Sequence, residues 1–453
     1  MAAETEQRVL FEDMTDKPVC VEFTAPDQSS DGGVLLLRAI DRQMGLTERL
    51  AAALRDPREA GKVRHPVQAM LQGRVLGIAC GYPDANDAAK LDRDPAMRLA
   101  CERRENGLAS QPTLSRFENA ATSAELLRMA LALTDAVLDR EAEKRKRRNI
   151  RSITLDMDPT EDRAHGQQQL IFFNRFYDAW CYLPMVTTVQ FGDEPEHYAL
   201  APMLRPGNAS GSAGAVAILK RLVPRLRERF PKAAIRVRMD GAFATPEVFD
   251  WLEANRLGYA VNMAKNGVLK ALAEPRMRLA RALAEGSGAT EKSYGEARYR
   301  AGKWKRARRV IVKAEVVALT GRGLRDNPRF VVTNLRRTPR AVYHFYAKRG
   351  DVENRIKELK DALRFDLTSC TRFGANQFRT LLAVAAYALY QQLRHEARGT
   401  DCARAQVATL RERLVKVAAT VGESVRRILL QAPRAYVWLS TWRVVAFRLG
   451  ASP

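Results

Sequence analysis

The residues most suited to chemistry in this chain surround a single acid, Glu353. Arg349 lies four residues before Glu353 and Lys360 seven residues after it, while Tyr346 lies seven residues before it. A carboxylate can hold a divalent cation, basic groups can hold phosphates, and an aromatic ring can stack on a nucleic-acid base. These residue types and this spacing favour a metal-assisted phosphate site. The alternative is an amphipathic surface helix with ordinary Glu–Lys pairs.

The segment around Glu353 has the period of a helix, and a helix would position these groups. Its hydrophobic residues fall on one narrow stripe of a helical wheel, at Val352, Ile356, Leu359 and Leu363. Glu353, Lys357 and Lys360 fall together on the flank of that stripe, so they can face one ligand. Arg349 comes just before the predicted helix, and Tyr346 lies on an extended lead-in.

Two acids that could share a cation with Glu353 lie on a predicted strand upstream. Apolar residues alternate from Ile153 to Met157, which predicts a strand with Asp156 and Asp158 on its opposite face. Two acids on one strand face are costly unless they are solvated or hold a cation. Asp158 is the better candidate because it lies nearer the strand end. Asp156 is then a supporting residue or the alternative first acid.

A third candidate acid, Asp240, is the last residue of the predicted strand Ile235–Asp240. A helix follows from about Thr245, and catalytic groups commonly lie between the carboxyl end of a strand and the next helix. The alternative is that Asp240 only forms a turn, as Asp often does after a strand.

Three other segments are candidates for DNA contact. Ser110–Asn119 has the features of the second helix of a helix-turn-helix, with Arg116 able to face a groove, or it is an ordinary capped helix. A long predicted helix over 121–148 ends in a basic run that either contacts phosphates or is simply solvated: Lys144, Arg145, Lys146, Arg147 and Arg148. Trp304, on a predicted turn, either stacks on a DNA base or packs at the rim of the fold.

The composition favours a polyanionic partner. Lys and Arg outnumber Asp and Glu by 75 to 52, a net charge of +23 over 453 residues, and 46% hydrophobic residues predict a folded globule. The longest apolar run, Leu381–Tyr390, is about half the length needed to span a bilayer. The acidic start Met1–Glu6 lacks the features of a signal peptide. The scattered cysteines indicate reduced thiols in a cytoplasmic protein, and the dispersed histidines do not suggest a zinc site.

The order of predicted elements is that of an RNase H-like α/β core. Three strands, a helix, a strand, a helix and a fifth strand predict a mixed five-stranded sheet with flanking helices. The long interval between Asp240 and Glu353 requires an inserted element, and its strand-like segments predict that it is β-rich. We therefore expect a mainly helical DNA-binding region (1–149), a first core segment (150–264), a β-rich insertion (265–340), a second core segment (341–398) and a helical C-terminal region (399–453).

The three acids in this order, together with the Tyr–Arg–Glu–Lys spacing, resemble the DDE transposases of bacterial insertion sequences, in the Y-R-E-K group with a β-rich insertion. The resemblance runs from about residue 31 to 432. It includes four further motifs, Asp31–Val34, Ser110–Phe117, Leu204–Ser212 and Phe330–Leu335. Asp158-Pro-Thr160 is similar to the Asp-x-Thr or Asp-x-Ser at the family's first acid. One departure is minor: Gly-Ala-Phe follows Asp240, where the family has a small residue, Gly and Phe.

The resemblance implies a function and a mechanism. Proteins of this kind bind the terminal inverted repeats of their element and move it by cut and paste. Asp158, Asp240 and Glu353 would bind two Mg²⁺ ions, for which Mn²⁺ can substitute, while Arg349 and Lys360 would hold phosphates of the cut strand. The implied partners are double-stranded DNA, as terminal repeats and target, and a second copy of the chain in the DNA complex. The implied location is the bacterial cytoplasm, in association with the nucleoid.

Two other functions remain open from the sequence. One is a DNA-binding protein that descends from a transposase and is no longer catalytic, which the intact set of acids argues against. The other is an RNase H-like nuclease without strand transfer. The long helical N-terminal region and the insertion argue against that second alternative, because they favour recognition of DNA ends.

Overall fold

The computed structural model describes residues 9–22, 28–164, 166–319 and 323–453. The start of the chain, on which the expectation of no signal peptide depends, lies outside these residues. The helices are α1 Val34–Met44, α2 Leu46–Ala52, α3 Val67–Cys80, α4 Ala88–Leu91, α5 Pro95–Ala100, α6 Gln111–Ala120, α7 Ser123–Lys144, α8 Ala215–Arg229, α9 Pro246–Ala254, α10 Gly267–Ser287, α11 Pro339–Ala347, α12 Gly350–Leu363, α13 Phe373–Glu396, α14 Val407–Leu410 and α15 Leu439–Arg448.

The strands fall into four sheets in the described regions of the chain. They are β1 Val9–Phe11, β2 Val19–Val21, β3 Gln28–Ser29, β4 Ser152–Pro159, β5 Asp162–Arg163, β6 Phe172–Asn174, β7 Ala179–Tyr182, β8 Met185–Phe191, β9 Tyr198–Ala199, β10 Ala234–Met239, β11 Gly258–Met263, β12 Glu291–Tyr299, β13 Arg308–Leu319, β14 Gly323–Asp326, β15 Arg329–Thr333, β16 Ala419–Glu423 and β17 Ile428–Gln431.

The largest sheet has the order β12-β13-β15-β11-β10-β4-β8-β9, with β14 paired to β13. The five predicted core strands are neighbours in it, as β11-β10-β4-β8-β9. The predicted size of five strands is nevertheless wrong, because β15 of the insertion pairs antiparallel with β11 and joins its strands to the same sheet. An edge strand has unpaired backbone N–H and C=O groups that can pair with a further strand. The strands of the insertion therefore extend the sheet beyond β11.

Parallel pairing brings two of the candidate acids to one edge of this sheet. β4 and β10 run parallel with Asp156 opposite Arg238 and Met157 opposite Met239. The next residues along the two chains are Asp158, still in β4, and Asp240, directly after β10, so the register places them side by side. The carboxyl ends of parallel strands share one edge, where ligand sites are usual.

The core is organised around α13, which is buried along most of its length. Helices α1, α3, α6 and α7 of the N-terminal region pack on it, and so do α12, α14, α15 and β9. One continuous cluster of buried apolar side chains runs from Val34 to Ala446. The N-terminal helices therefore share a core with the acid-bearing sheet.

The C-terminal region differs from the predicted helical one. β16 and β17 form a hairpin, and β16 also pairs with β3 near the start of the described chain. The two segments come close because Gly33 has no side chain: a Cβ there would lie 1.8 Å from the carbonyl oxygen of Leu414. The helical prediction is wrong for 419–431, where a local hairpin forms and is extended by pairing of β16 with β3, a distant partner that local periodicity does not reveal.

Among the described helices, none combines the length and the apolar character needed to cross a membrane.

Candidate active site

Three acids come from three different elements at one edge of the main sheet. Asp158 is the penultimate residue of β4, Asp240 directly follows β10, and Glu353 lies in the first turn of α12, which packs on β4. The guanidinium of Arg349 joins two of them, with Nη1 3.0 Å from Asp158 Oδ2 and Nη2 3.1 Å from Glu353 Oε1. The sequence-predicted Arg349, Glu353 and Asp158 therefore do meet in the folded protein.

The register of β4 and β10 places the third acid, Asp240, beside Asp158, and the pKa of Asp158 reflects both neighbouring acids. Burial raises the pKa of Asp158 to about 6; Arg349 opposes this rise, while the negative charges of Asp240 and Glu353 add to it. A buried carboxyl whose neighbours are mainly other carboxylates is short of positive charge. The cluster is therefore a place that an additional cation would stabilise.

The donor set fits a hard divalent cation in its chemistry. Asp158, Asp240 and Glu353 supply only carboxylate oxygens, which Mg²⁺ prefers. As they stand, no three His, Cys, Asp or Glu side chains in the described residues converge tightly enough to hold an ion. The space between Asp158 and Glu353 is bridged by Arg349. Because the Glu353 side chain is 62% exposed, it is free to leave Arg349 and turn towards an ion.

Asp156, the alternative first acid, is already paired with a buried arginine. It is fully buried and accepts two hydrogen bonds from Arg238, from Nε at 2.7 Å and from Nη2 at 2.6 Å. His197 lies against the same carboxylate, with Nδ1 3.3 Å from Oδ2, and its Nε2 is 3.6 Å from Asp351 at the start of α12. This geometry favours Asp158 as the acid that meets a cation, with Asp156 as a buried support that links the sheet to α12.

The remaining members of the Tyr–Arg–Glu–Lys spacing lie around the acids. Tyr346 is in α11, so the predicted extended lead-in is wrong; the helix begins after Thr338, whose side chain caps it, and Pro339 occupies its first turn. Burial raises the pKa of the Tyr346 hydroxyl, and the positive charge of nearby Arg349 opposes that rise. Lys360 Nζ donates to the carbonyl oxygen of Glu161 at 2.5 Å, just beyond β4.

The flank of α12 is as predicted from its period. Val352, Ile356, Leu359 and Leu363 are all buried. Lys357 is exposed on the same side as Glu353. The helix therefore exposes the carboxylate of Glu353 and the ammonium group of Lys357 on the same side.

Two residues near the acids were not predicted from the sequence. Tyr177 lies on the turn between β6 and β7, and its pKa is raised to about 12 by burial and then by Asp158, Glu161 and Asp240. Arg205 is buried, and burial lowers its pKa to about 10, with Tyr177 and Asp240 opposing the shift.

Arg205 holds the loop that supports Asp240. Its Nε donates to the carbonyl oxygen of Leu183 at 2.7 Å, and its Nη1 donates to three carbonyls of the loop 210–213. That loop packs on the turn after Asp240, where a Cβ at Gly211 would lie 2.3 Å from the Cβ of Ala242. Among the described residues, Arg205 Nη2 has no hydrogen-bond partner. The sequence signals were a basic residue opening a Pro-Gly loop and the place of Arg205 in the family-like motif Leu204–Ser212.

Trp304 is not at the surface. Its residue is 4% exposed, and its ring packs edge-on against Phe249 and Tyr299, with centroids 5.2 and 5.7 Å apart. The guanidinium of Arg308 covers the ring at 5.1 Å. Packing is therefore the role the structure gives it, and stacking of Trp304 on a DNA base is contradicted.

The basic run at the end of α7 divides into two groups. Lys144 pairs with Glu141 at 2.9 Å, and buried Arg145 pairs with Glu141 and Glu194 while its guanidinium covers the Phe191 ring at 4.4 Å. These two residues are internal, so their assignment to phosphate contact is wrong. The following three, Lys146, Arg147 and Arg148, are exposed.

The predicted helix over 110–119 is present as α6, but its surroundings are not those of a helix-turn-helix. The preceding helix α5 ends at Ala100, so the connection is far longer than the motif's short turn. Arg116 is exposed on a cleft of about 540 Å³ whose basic lining also includes Arg58, Lys62, Arg64 and Arg98. Burial of His65, which also lines this cleft, lowers its pKa, and the positive charges of Arg103 and Arg64 lower it further.

The fold and the site define a class: a mixed α/β protein that gathers three acids and an arginine at the carboxyl ends of two parallel strands. The chain belongs to the family described as Transposase DDE domain group 1, whose profile matches residues 11–452. A comparison with curated proteins finds no match. The resemblance to DDE transposases is thereby confirmed. It places the chain among proteins of DNA transposition and recombination, which generally use divalent metal ions.

Proposed function

We propose that this protein is a DNA transposase that binds the terminal inverted repeats of its element, cuts at them and joins the freed ends to target DNA by cut and paste. The observation that carries the proposal is the group of three acids at the carboxyl ends of β4 and β10, two of which, Asp158 and Glu353, share the guanidinium of Arg349. Asp158, Asp240 and Glu353 would hold Mg²⁺, as two ions, with Mn²⁺ as a substitute. Bound by these residues, the ions would supply Lewis-acid stabilisation of the phosphate and lower the pKa of a bound water.

The chain's own basic residues would then position the DNA. Arg349 would exchange its contacts with Asp158 and Glu353 for a phosphate of the cut strand, since a guanidinium binds phosphate as well as carboxylate. Lys360 and exposed Lys357 lie on the same helix as Glu353 and would hold the neighbouring phosphates. Tyr346, whose hydroxyl interacts with the charge of Arg349, would help to orient that side chain.

End recognition would lie in the N-terminal region. Its basic cleft at Arg116 and the exposed residues Lys146, Arg147 and Arg148 supply positive surface outside the acid cluster. Such contacts position DNA through its phosphates, while Arg116 on α6 would read base edges. We further infer that β11-β10-β4-β8-β9 is an RNase H-like core, and that two copies of the chain act together on paired ends.

The test is incubation of the full chain with the DNA that flanks its own gene. Cuts that map to the ends of inverted repeats with Mg²⁺ or Mn²⁺, and not with a chelator, support a transposase. Joining of those ends to a supercoiled plasmid separates transposition from simple nuclease action. Binding of the repeats without metal-dependent cleavage would instead identify a DNA-binding protein that has lost catalysis. Glu353→Gln is the matched control, because it removes one charge from an exposed side chain.

A further inference from the structure

A short hairpin projects from the same sheet edge as the acids. After β4 the chain forms a small sheet of the order β5-β7-β6, and then returns as β8, which pairs with β4 so that Asp158 lies opposite Val186. The segment Phe172–Tyr182, with β6, β7 and the turn between them, is called the aromatic hairpin below. It leaves and rejoins the main sheet close to Asp158.

The aromatic hairpin exposes large rings to solvent. Phe176 at the turn is 86% exposed, Trp180 is 60% exposed and Phe173 is 44% exposed. Phe173 and Trp180 are directly opposite on the two strands, with ring centroids 6.1 Å apart. Clustered exposed aromatic side chains are unfavourable in water and mark binding surfaces.

The hairpin holds these rings in place without a core of its own. Asn174 Oδ1 accepts hydrogen bonds from the backbone N–H groups of Phe176 and Tyr177 at 3.0 and 3.3 Å, which fixes the turn. Asn174 Nδ2 donates to the carbonyl oxygen of Gly207 at 2.8 Å. A Cβ at Gly207 would lie 2.5 Å from the carbonyl oxygen of Phe172, so only glycine allows this contact. The backbone that carries the rings is therefore fixed.

Phe176 is one ring away from the acid cluster. Its ring meets that of Tyr177 edge to face, with centroids 4.9 Å apart. Tyr177 in turn lies near Asp158 and Asp240, whose charges act on its hydroxyl. Exposed Arg175 stands beside Phe176 on the turn. A base next to a phosphate placed at the acid cluster would thus meet an aromatic ring, Phe176, and a basic side chain, Arg175, which are the kinds of group that bind single-stranded nucleic acid.

We propose that the aromatic hairpin stacks on unpaired DNA bases next to the phosphate being cut, with Phe176 as the first ring and Trp180 as the second. The proposal rests on the proposed function, since it takes the occupant to be DNA that lies on the acids. A sequence-tolerant stacking surface stabilises unpaired bases whatever their identity, so it would hold a duplex open beside the phosphate being cut.

The test uses binding rather than cleavage. A forked duplex with 2-aminopurine in its unpaired arm, and the same duplex fully paired, are titrated with the full chain in the presence of a chelator. Stacking on the unpaired arm is read as a change in 2-aminopurine fluorescence. The variants are Phe176→Ala, Phe176→Trp as the conservative replacement, and Phe447→Ala as a control, because Phe447 is 47% exposed on α15.

We expect Phe176→Ala to abolish the fluorescence change and to weaken binding to the fork about tenfold. The stacking of one base on one ring contributes about a tenfold factor to the affinity. Phe176→Trp should restore both, while Phe447→Ala and the fully paired duplex should show no change. A normal fluorescence change in Phe176→Ala would overturn the proposal. Equal weakening on forked and paired DNA would also overturn it, because that result indicates a general contact.

Sedimentation of the same variants covers the other occupant, a second copy of the chain. If Phe176→Ala lowers self-association and leaves fork binding intact, the hairpin is a protein interface and the proposal is wrong. The failures of the two proposals are distinct. A wild-type chain that binds the fork but never cuts DNA with Mg²⁺ contradicts the proposed transposase. A wild-type chain that cuts, with Phe176→Ala still stacking, contradicts only the role of the hairpin.

Discussion

Asp156 and Asp158 lie two residues apart on one face of one strand, yet the fold treats them in opposite ways. Asp156 is fully buried and takes both of its hydrogen bonds from Arg238 on the neighbouring strand. Asp158 shares Arg349 with Glu353 and also lies near Asp240. A saturated carboxylate stabilises structure, whereas a carboxylate left short of positive charge can bind a cation. The contrast indicates which of the two acids of β4 is available to the candidate active site.

The same contrast appears among the basic residues. Inside the protein, Lys144 forms an ion pair with Glu141, and Arg145 forms ion pairs with Glu141 and Glu194. The next three residues, Lys146, Arg147 and Arg148, are exposed. Composition counts all five alike. Only the exposed three can add to the positive surface that DNA would meet.

The largest expected effect is loss of DNA cleavage when one of the three candidate metal-binding acids is replaced. Asp158→Asn, Asp240→Asn and Glu353→Gln should each lower cleavage about a thousandfold or more, because each removes a ligand that stabilises charge in the transition state. DNA binding should change little, since these side chains do not read bases. Gel assays of cleavage and filter binding measure the two effects. Near wild-type cleavage by any of the three would remove that residue from the site.

The next effect concerns stability and should follow the opposite order. Arg238→Met leaves Asp156 buried and unpaired, so the free energy of unfolding should fall by about 3–5 kcal/mol. Asp158→Asn should cost less than about 1 kcal/mol or stabilise the protein at pH 7, because burial and like charges raise the pKa of Asp158 to about 6 and disfavour its ionised form. Urea unfolding with near-UV detection measures both.

A double variant sharpens that comparison. Asp156→Leu with Arg238→Met replaces the pair by apolar groups and should regain most of the lost stability. If the double variant is as unstable as Arg238→Met alone, the pair is needed for more than mutual neutralisation. If Arg238→Met is as stable as the wild type, Asp156 is not saturated in the way the geometry indicates.

The pH dependence of metal binding tests the charge deficit directly. The pKa of Asp158 is raised to about 6, so Asp158 gains a proton as the pH falls through that value and loses its ability to bind Mg²⁺. Between pH 7 and pH 5 the affinity for Mg²⁺ should therefore fall by about tenfold. Titration calorimetry with Mg²⁺ alone measures this change, with Glu353→Gln as the reference for a weakened site. An affinity that stays constant over this range would contradict the raised pKa.

The smallest expected effect divides the basic run. Replacing Arg148 by Ala should weaken DNA binding only a fewfold and should reduce the slope of log affinity against log salt by about 0.9 if it holds one phosphate. Arg145→Ala should leave that slope unchanged. It should instead lower the melting temperature, because Glu141 and Glu194 lose the guanidinium that pairs with both of them. Fluorescence anisotropy at several salt concentrations distinguishes them. A change of slope in Arg145→Ala would mean that the internal pairs open when DNA binds.

The sequence by itself determined the elements that carry the acids. The apolar stripe of α12 is local and so is the alternation of β4, and both are present where the periods predicted them. The helix α9 begins after Thr245, whose side chain accepts from Val248 N at 3.4 Å, and its signal lies within four residues. Short-range geometry of this kind depends only on neighbouring residues, so it can be read without the fold. The order of the three acids, with the Tyr–Arg–Glu–Lys spacing, was likewise enough to indicate the family.

The tertiary structure decided which of these residues remain available for chemistry. The parallel register of β4 and β10 puts Arg238 opposite Asp156 and leaves Asp158 to the edge, and no periodicity contains that register. The burial of Trp304, the pairing of Arg145 with Glu194 and the hairpin of β16 and β17 on β3 also join residues that are distant in the chain. Whether a side chain is neutralised, covered or free depends on such long-range partners, because charge and burial are properties of the neighbours in space and not of the neighbours in sequence.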